Sequence, residues 1–214
     1  QEDRYIRIYQ YVMPFQQMRG DVTGDGGQRS QIPKIDGHFW VPIDDHQTYV
    51  WNWMYGADES AEITAEFAER DEKRAGRGKD DFIPGTFKLK SNPSNDHMID
   101  RNLQKTKTFT GIVGVGTQDM AVQEAMEPIA DRTQENLGST DAFVIAVRSQ
   151  LINAAKRFRD SGQLPPNVED VSFDRIRAAS VLIPSDVDWK AHSKEARNAD
   201  SGEPPSDDVP LIID

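Results

Sequence analysis

Residues 48–55 constrain the fold of this chain more than any other stretch. Tyr49, Trp51, Trp53 and Tyr55 alternate with Val50, Asn52 and Met54, the period of a β-strand. Four large aromatic side chains then share one face. Left in water, that face would forfeit a large area of apolar burial, so it needs a helix or a ligand to cover it. Residues 37–43 read as an antiparallel partner strand, joined through Asp44, Asp45, His46 and Gln47. A cover is available further on. Val144, Val147, Leu151, Ala155 and Phe158 form an apolar stripe on a helix expected over 140–160, with Ser139 or Thr140 to cap it, Asp141 in its first turn and Gly162 to stop it. The expected fold class is α+β, an antiparallel sheet gripping a long C-terminal helix.

The rest of the chain is less periodic. Residues 4–15 read as a strand that Pro14 ends or places at an edge. Residues 16–36, with the glycines of GDVTGDGG, read as a loop with no phosphate-binding pattern. Residues 57–76 are charged and helix-prone with a thin apolar face, Ile63 and Phe67, and are expected at the surface. Residues 76–110 contain breakers and few periodic signals. The organisation expected is one domain over 1–162 and an acidic, Pro-containing tail over 163–214. In the tail, Phe173, Ile176, Val181, Leu182, Ile183 and Trp189 are expected to anchor residues 171–195 on the long helix or on a neighbouring subunit. Residues 201–208 are expected to be disordered.

Composition excludes several functions. The 214 residues carry a net charge of -11, which argues against nucleic acid or an anionic membrane as partner. No apolar run approaches the length of a bilayer span, and the chain opens on QEDRYIRIY with no expected signal peptide. There are no cysteines, which excludes disulfides and fits a cytoplasmic protein. The four histidines, His38, His46, His97 and His192, show no paired metal-ligand spacing and are expected to be structural or at the surface.

Chemistry concentrates in residues 111–141. Read as a helix over 118–131, this stretch places Val122, Ala125, Met126 and Ile129 on one apolar stripe, with Glu124, Glu127 and Asp131 towards water. Asp119 would lie about 20° round the axis from Met126, on the stripe's edge. An acid there needs a hydrogen bond, an ion pair or a metal. A helix N-terminus alone would also favour it.

The residues Gln118-Asp119, Glu124, Ile129, Asp131-Arg132, Glu135, Leu137-Gly138, Ser139, Asp141, Arg148 and Ala154-Ala155 resemble the C-terminal part of the catalytic domain of Rieske non-haem iron aromatic-ring oxygenase large subunits, in the branch of phthalate dioxygenase and the aromatic O-demethylases. Val41–Asp45 followed by the aromatic strand, and 100–112 ahead of the helix, extend the resemblance. Glu127 stands where a Gly is usual, and Asn136 where a His is usual. The resemblance implies a helix-grip, START-like catalytic domain, here only in part. It implies that Asp119 is the carboxylate ligand of a mononuclear Fe(II), with Gln118 and Glu124 beside it, and that Trp51, Asn52 and Trp53 line a substrate pocket.

A Rieske cluster, with two irons and two sulfides, needs two Cys and two His. It is expected outside this chain, as are the two iron-binding histidines, so residues 1–214 alone are expected to be inactive. The implied activity is hydroxylation or O-demethylation of an aromatic acid or aryl ether with dioxygen. The implied partners are a reductase or ferredoxin and two further subunits in a homotrimer. The rival expectation is a START-like small-molecule binding or interaction module without the iron site.

Overall fold

The computed structural model describes residues 3–23, 29–57, 59, 61–165, 172–194, 196 and 197. Among the described residues six strands, β1 (Asp3–Ile8), β2 (Gln10–Val12), β3 (Gln16–Thr23), β4 (Arg29–Pro42), β5 (Thr48–Gly56) and β6 (Ala179–Pro184), and five α-helices, α1 (Ala65–Arg74), α2 (Arg101–Thr106), α3 (Val115–Glu124), α4 (Ala142–Ser161) and α5 (Trp189–His192), make an α+β, helix-grip-like fold. It divides into two compact units, Gln1–Glu62 with Asn136–Asp214, and Ile63–Glu135.

The first unit holds both sheets. β2, β3, β4 and β5 form one antiparallel sheet in that order, and β1 pairs with β6 in a second. The β4–β5 hairpin follows the aromatic alternation, with Phe39 opposite Trp51 and Val41 opposite Tyr49. Its turn is fixed by the Asp44 carboxylate, which accepts from the amides of His46 and Gln47, both at 2.8 Å. Met18 and Ile35 from neighbouring strands meet Ala178, with Val12, Trp53, Tyr55 and Ile176 packed round them.

Three sequence expectations are corrected in this unit. Residues 4–15 are two strands in two sheets, because the chain turns away between Ile8 and Gln10. Residues 16–36 are mostly strand: β3 pairs with both neighbours and buries Met18. Its polar composition hid this, since β4 carries Lys34 and Asp36 into the interior as an ion pair. The segment from 171–195 that anchors the chain does so as β6, hydrogen-bonded along β1 from Asp3–Pro184 to Ile8–Ala179, with Ile183 fully buried, and not on the long helix. Residues 201–208 lie outside the described residues.

α4 is 20 residues long and ends as expected at Gly162, whose left-handed conformation lets its amide reach Phe158 O at 2.8 Å. The cap expected at Ser139 or Thr140 is corrected: Ser139–Asp141 form a tight turn, and Asp141 takes the N-cap position of α4 without a side-chain cap bond, its carboxylate accepting from Gly138 N. None of the α4 residues is buried.

The second unit holds α1, α2 and α3. Thr64 caps α1 and Asp100 caps α2. The helix expected over 118–131 is corrected to Val115–Glu124. Pro128 disfavours helical geometry at Glu127, which instead takes a positive φ of 72°. Val122, Met126 and Ile129 are exposed; the buried face of α3 is Gly116, Thr117 and Ala121.

Candidate functional site

The residues singled out by sequence fall into two groups. Gln118, Asp119 and Glu124 sit on α3 in the unit Ile63–Glu135. Trp51, Asn52 and Trp53 sit on β5 in the other unit.

Asp119 begins the second turn of α3, on the side opposite Thr117, and is exposed. Among the described residues its carboxylate has no hydrogen bond and no ion pair. The start of the helix is built to hold still. No side chain caps it. Instead the last carbonyls of the α1 end meet the first donors of α3. Gly116 N donates to Ala75 O at 2.9 Å, and the Thr117 hydroxyl donates to Gly76 O at 3.1 Å. Each helix end thereby satisfies polar groups that the other leaves unpaired. The approach is close enough to require glycine at 114, where φ is 88° and an added Cβ would stand 2.6 Å from Ala75 O. Arg77 braces the joint, paired through two nitrogens with Glu72 at 2.8 and 3.2 Å. Upstream, Asp100 N donates to Gly111 O at 3.0 Å and Ile112 is buried, which fixes the segment leading into α3.

Glu124, at the other end of α3, is exposed and faces a largely buried His97, with Oε2 3.7 Å from Nδ1. That nitrogen has no hydrogen bond. The backbone at Asp96, His97 and Met98 holds positive φ angles of 50°, 51° and 55°. A single histidine in an aperiodic segment gave no sign of this pairing. The buried Thr117 was equally missed, although two glycines at alternate positions just before a Thr are a pattern of close approach.

On β5, the rings of Trp53 and Tyr55 stack with centroids 5.9 Å apart, while Trp51 is 56% exposed. Trp51, Asn52 and Trp53 all line one hollow of about 430 Å³, with Phe15, Phe39 and Val41. Asn52 Oδ1 lies 2.7 Å from His38 Nδ1. A second hollow of about 450 Å³ borders Trp53, Tyr55 and Arg177. The Arg177 guanidinium stands 5.6 Å from the Tyr55 ring centroid and donates to Ala57 O at 2.7 Å. Burial raises the Tyr55 hydroxyl above its ordinary pKa, partly offset by the Arg177 charge.

The α3 site offers one oxygen ligand on a fixed helix, not a metal cage: no three His, Cys, Asp or Glu come together among the described residues. Comparison with known proteins gives the class: the chain is similar to the C-terminal part of oxygenase subunits of aromatic-acid dioxygenases. The chain belongs to the LigXa C-terminal domain-like family, whose model matches residues 1–209. It is 26% identical over 207 residues to the 3-chlorobenzoate-3,4-dioxygenase oxygenase subunit of Comamonas testosteroni, covering 89% of this chain and 44% of that protein. It is 29% identical over 150 residues to the phthalate 4,5-dioxygenase oxygenase subunit of Pseudomonas putida, covering 70% of this chain and 33% of that protein. The chain therefore spans less than half the length of these relatives.

Proposed function

We propose that residues 1–214 work as the C-terminal catalytic portion of a Rieske-type oxygenase, and that Asp119 is the carboxylate ligand of its mononuclear Fe(II). The observation that carries this reading is the unpartnered Asp119 carboxylate on a helix whose opposite face is locked in place. Carboxylate oxygen suits Fe(II), and one carboxylate beside two histidines leaves positions open for other ligands. The chain supplies this one ligand; a Rieske cluster needs two Cys, which residues 1–214 lack, so other parts of the protein would hold it, and the two histidines that the resemblance implies would come from there too. When bound, the iron would supply dioxygen activation. Gln118 precedes Asp119 on α3 and Glu124 ends the helix, so both are candidates to support the bound metal, although neither hydrogen-bonds the Asp119 carboxylate among the described residues. The hollow of Trp51, Asn52 and Trp53 takes a planar aromatic acid or aryl ether, which is hydroxylated or O-demethylated. The two relatives are named for benzoate and phthalate oxygenation, which supports an aromatic acid as substrate. The working assembly is a cytoplasmic homotrimer fed by a reductase or ferredoxin. Among the described residues no helix is long and apolar enough to cross a membrane.

The rival reading, a binding module without iron, draws on the two aromatic hollows and the single ligand. The two are separated by turnover. The intact protein is supplied with reductant, dioxygen and phthalate, 3-chlorobenzoate or a methoxybenzoate, and product is measured. The oxygenase reading predicts product with oxygen uptake, and loss of both in Asp119→Asn. Saturable binding of the aromatic acid with no oxygen uptake would favour the rival.

A further inference from the structure

We infer that Thr117 is a positioning residue for Asp119, acting through the end-to-end joint between α1 and α3. This rests on the reading of Asp119 as a metal ligand. A ligand side chain is useful only if its helix is held to within a fraction of an ångström. α3 meets that need without a side-chain cap. Its first turn is fixed by the Ala75 carbonyl on Gly116 N and by the Gly76 carbonyl on the Thr117 hydroxyl. Thr117 is 6% exposed and two residues before Asp119, so it locks one side of the helix while Asp119 faces away on the other. The α1 C-terminus also brings negative dipole density to the positive N-terminus of α3, which reinforces the alignment. Burial alone needs no hydroxyl: a Val would fill the same space. The hydroxyl is what fixes the register of α3 against the Ala75–Gly76 turn.

The test uses the intact protein and four variants: Thr117→Val, Thr117→Ser, Gly116→Ala and Asp119→Asn. Iron affinity is read by chelator competition, the mononuclear iron's paramagnetic spectrum is recorded, and each variant's fold is checked by circular dichroism. Thr117→Val is expected to fold and to bind iron roughly 10-fold more weakly, the lower end of what outer partners of metal ligands give, with a broadened spectrum. Thr117→Ser, which keeps the hydroxyl, is expected to restore both. Gly116→Ala covers the case in which Thr117→Val fails to fold. Its Cβ would stand 2.3 Å from Arg77 Nη1 and 2.9 Å from Ala75 O, the carbonyl that accepts from Gly116 N, so Arg77 must swing aside and the backbones of the joint must part. A folded Thr117→Val or Gly116→Ala protein with wild-type affinity and spectrum would overturn the inference. So would Thr117→Ser behaving like Thr117→Val. Asp119→Asn separates the two levels. If it loses iron while the joint variants keep it, only the positioning role fails; if it keeps iron, the ligand assignment fails, and the inference with it.

Discussion

In the strand-built unit, the interior is made by side chains meeting across strands. Met18, Ile35 and Ala178 close on one another, and even the charged positions are paired inside. The unit Ile63–Glu135 is held differently. Its buried residues are mostly small, Ala75, Gly76, Gly116, Thr117 and Ala121 among them, and several of its large apolar side chains face outward: Phe109 is 96% exposed and Phe87 76%. One unit is held by side-chain packing, the other by backbone groups in close approach. A substitution should therefore hurt the first in proportion to the side chain removed. It should hurt the second in proportion to how far it pushes the backbones apart, and hardly at all at its exposed large hydrophobes.

The largest effect is expected at Asp36. Burial would raise its pKa, but hydrogen bonds and charge from Arg19 and Lys34 outweigh that and hold it below the ordinary aspartate value. A carboxylate depressed in the folded state stabilises above its unfolded pKa of about 4 and loses that contribution as pH falls through the folded value. Asp36→Asn removes the buried carboxylate that pairs with Lys34 and should cost about 3–5 kcal/mol in a denaturant titration at neutral pH. It should also flatten the acid limb of stability below about pH 4. An unchanged acid limb would remove Asp36 from that role.

Next comes Gly114→Ala in the helical unit. The positive φ and the approach to Ala75 O predict a loss of about 1–3 kcal/mol. Hydrogen exchange should show the loss confined to the α1–α3 joint, and a loss spread evenly over the sheets would blur the contrast between the units.

Smaller still, and of opposite sign, is Glu127→Gly. A non-glycine residue at φ 72° is strained, and relieving it should stabilise by about 0.5–1 kcal/mol, partly offset by the greater freedom of glycine when unfolded. Last, Phe109→Ser should change a thermal melt of this chain by no more than about 0.5 kcal/mol, because the ring is already in water. A large destabilisation there would mean the ring is covered.

The same contrast decides what could be read in advance. The β4–β5 hairpin was legible because alternation at Tyr49, Trp51, Trp53 and Tyr55 survives any tertiary context, and Asp44 marks its turn. β3 was not, because its inward Met18 is surrounded by Gln, Arg and Asp, and its register comes from two neighbours. The ends of α3 were misplaced because apolar residues at Val122, Met126 and Ile129 imitate a buried stripe, while Glu127-Pro128 had already marked the stop. Asp119 could not be singled out by periodicity at all; family resemblance did that. The joint that holds it rests on backbone carbonyls, which leave little trace in side-chain pattern.

The central claim is most directly tested by counting iron. The intact protein and its Asp119→Asn variant are purified side by side, freed of loosely bound metal and analysed for mononuclear iron, with the Rieske absorbance as the internal reference. The wild type should hold about one mononuclear iron per chain and Asp119→Asn under about one-tenth of that, with the Rieske absorbance unchanged. Equal mononuclear iron in the two proteins would contradict it.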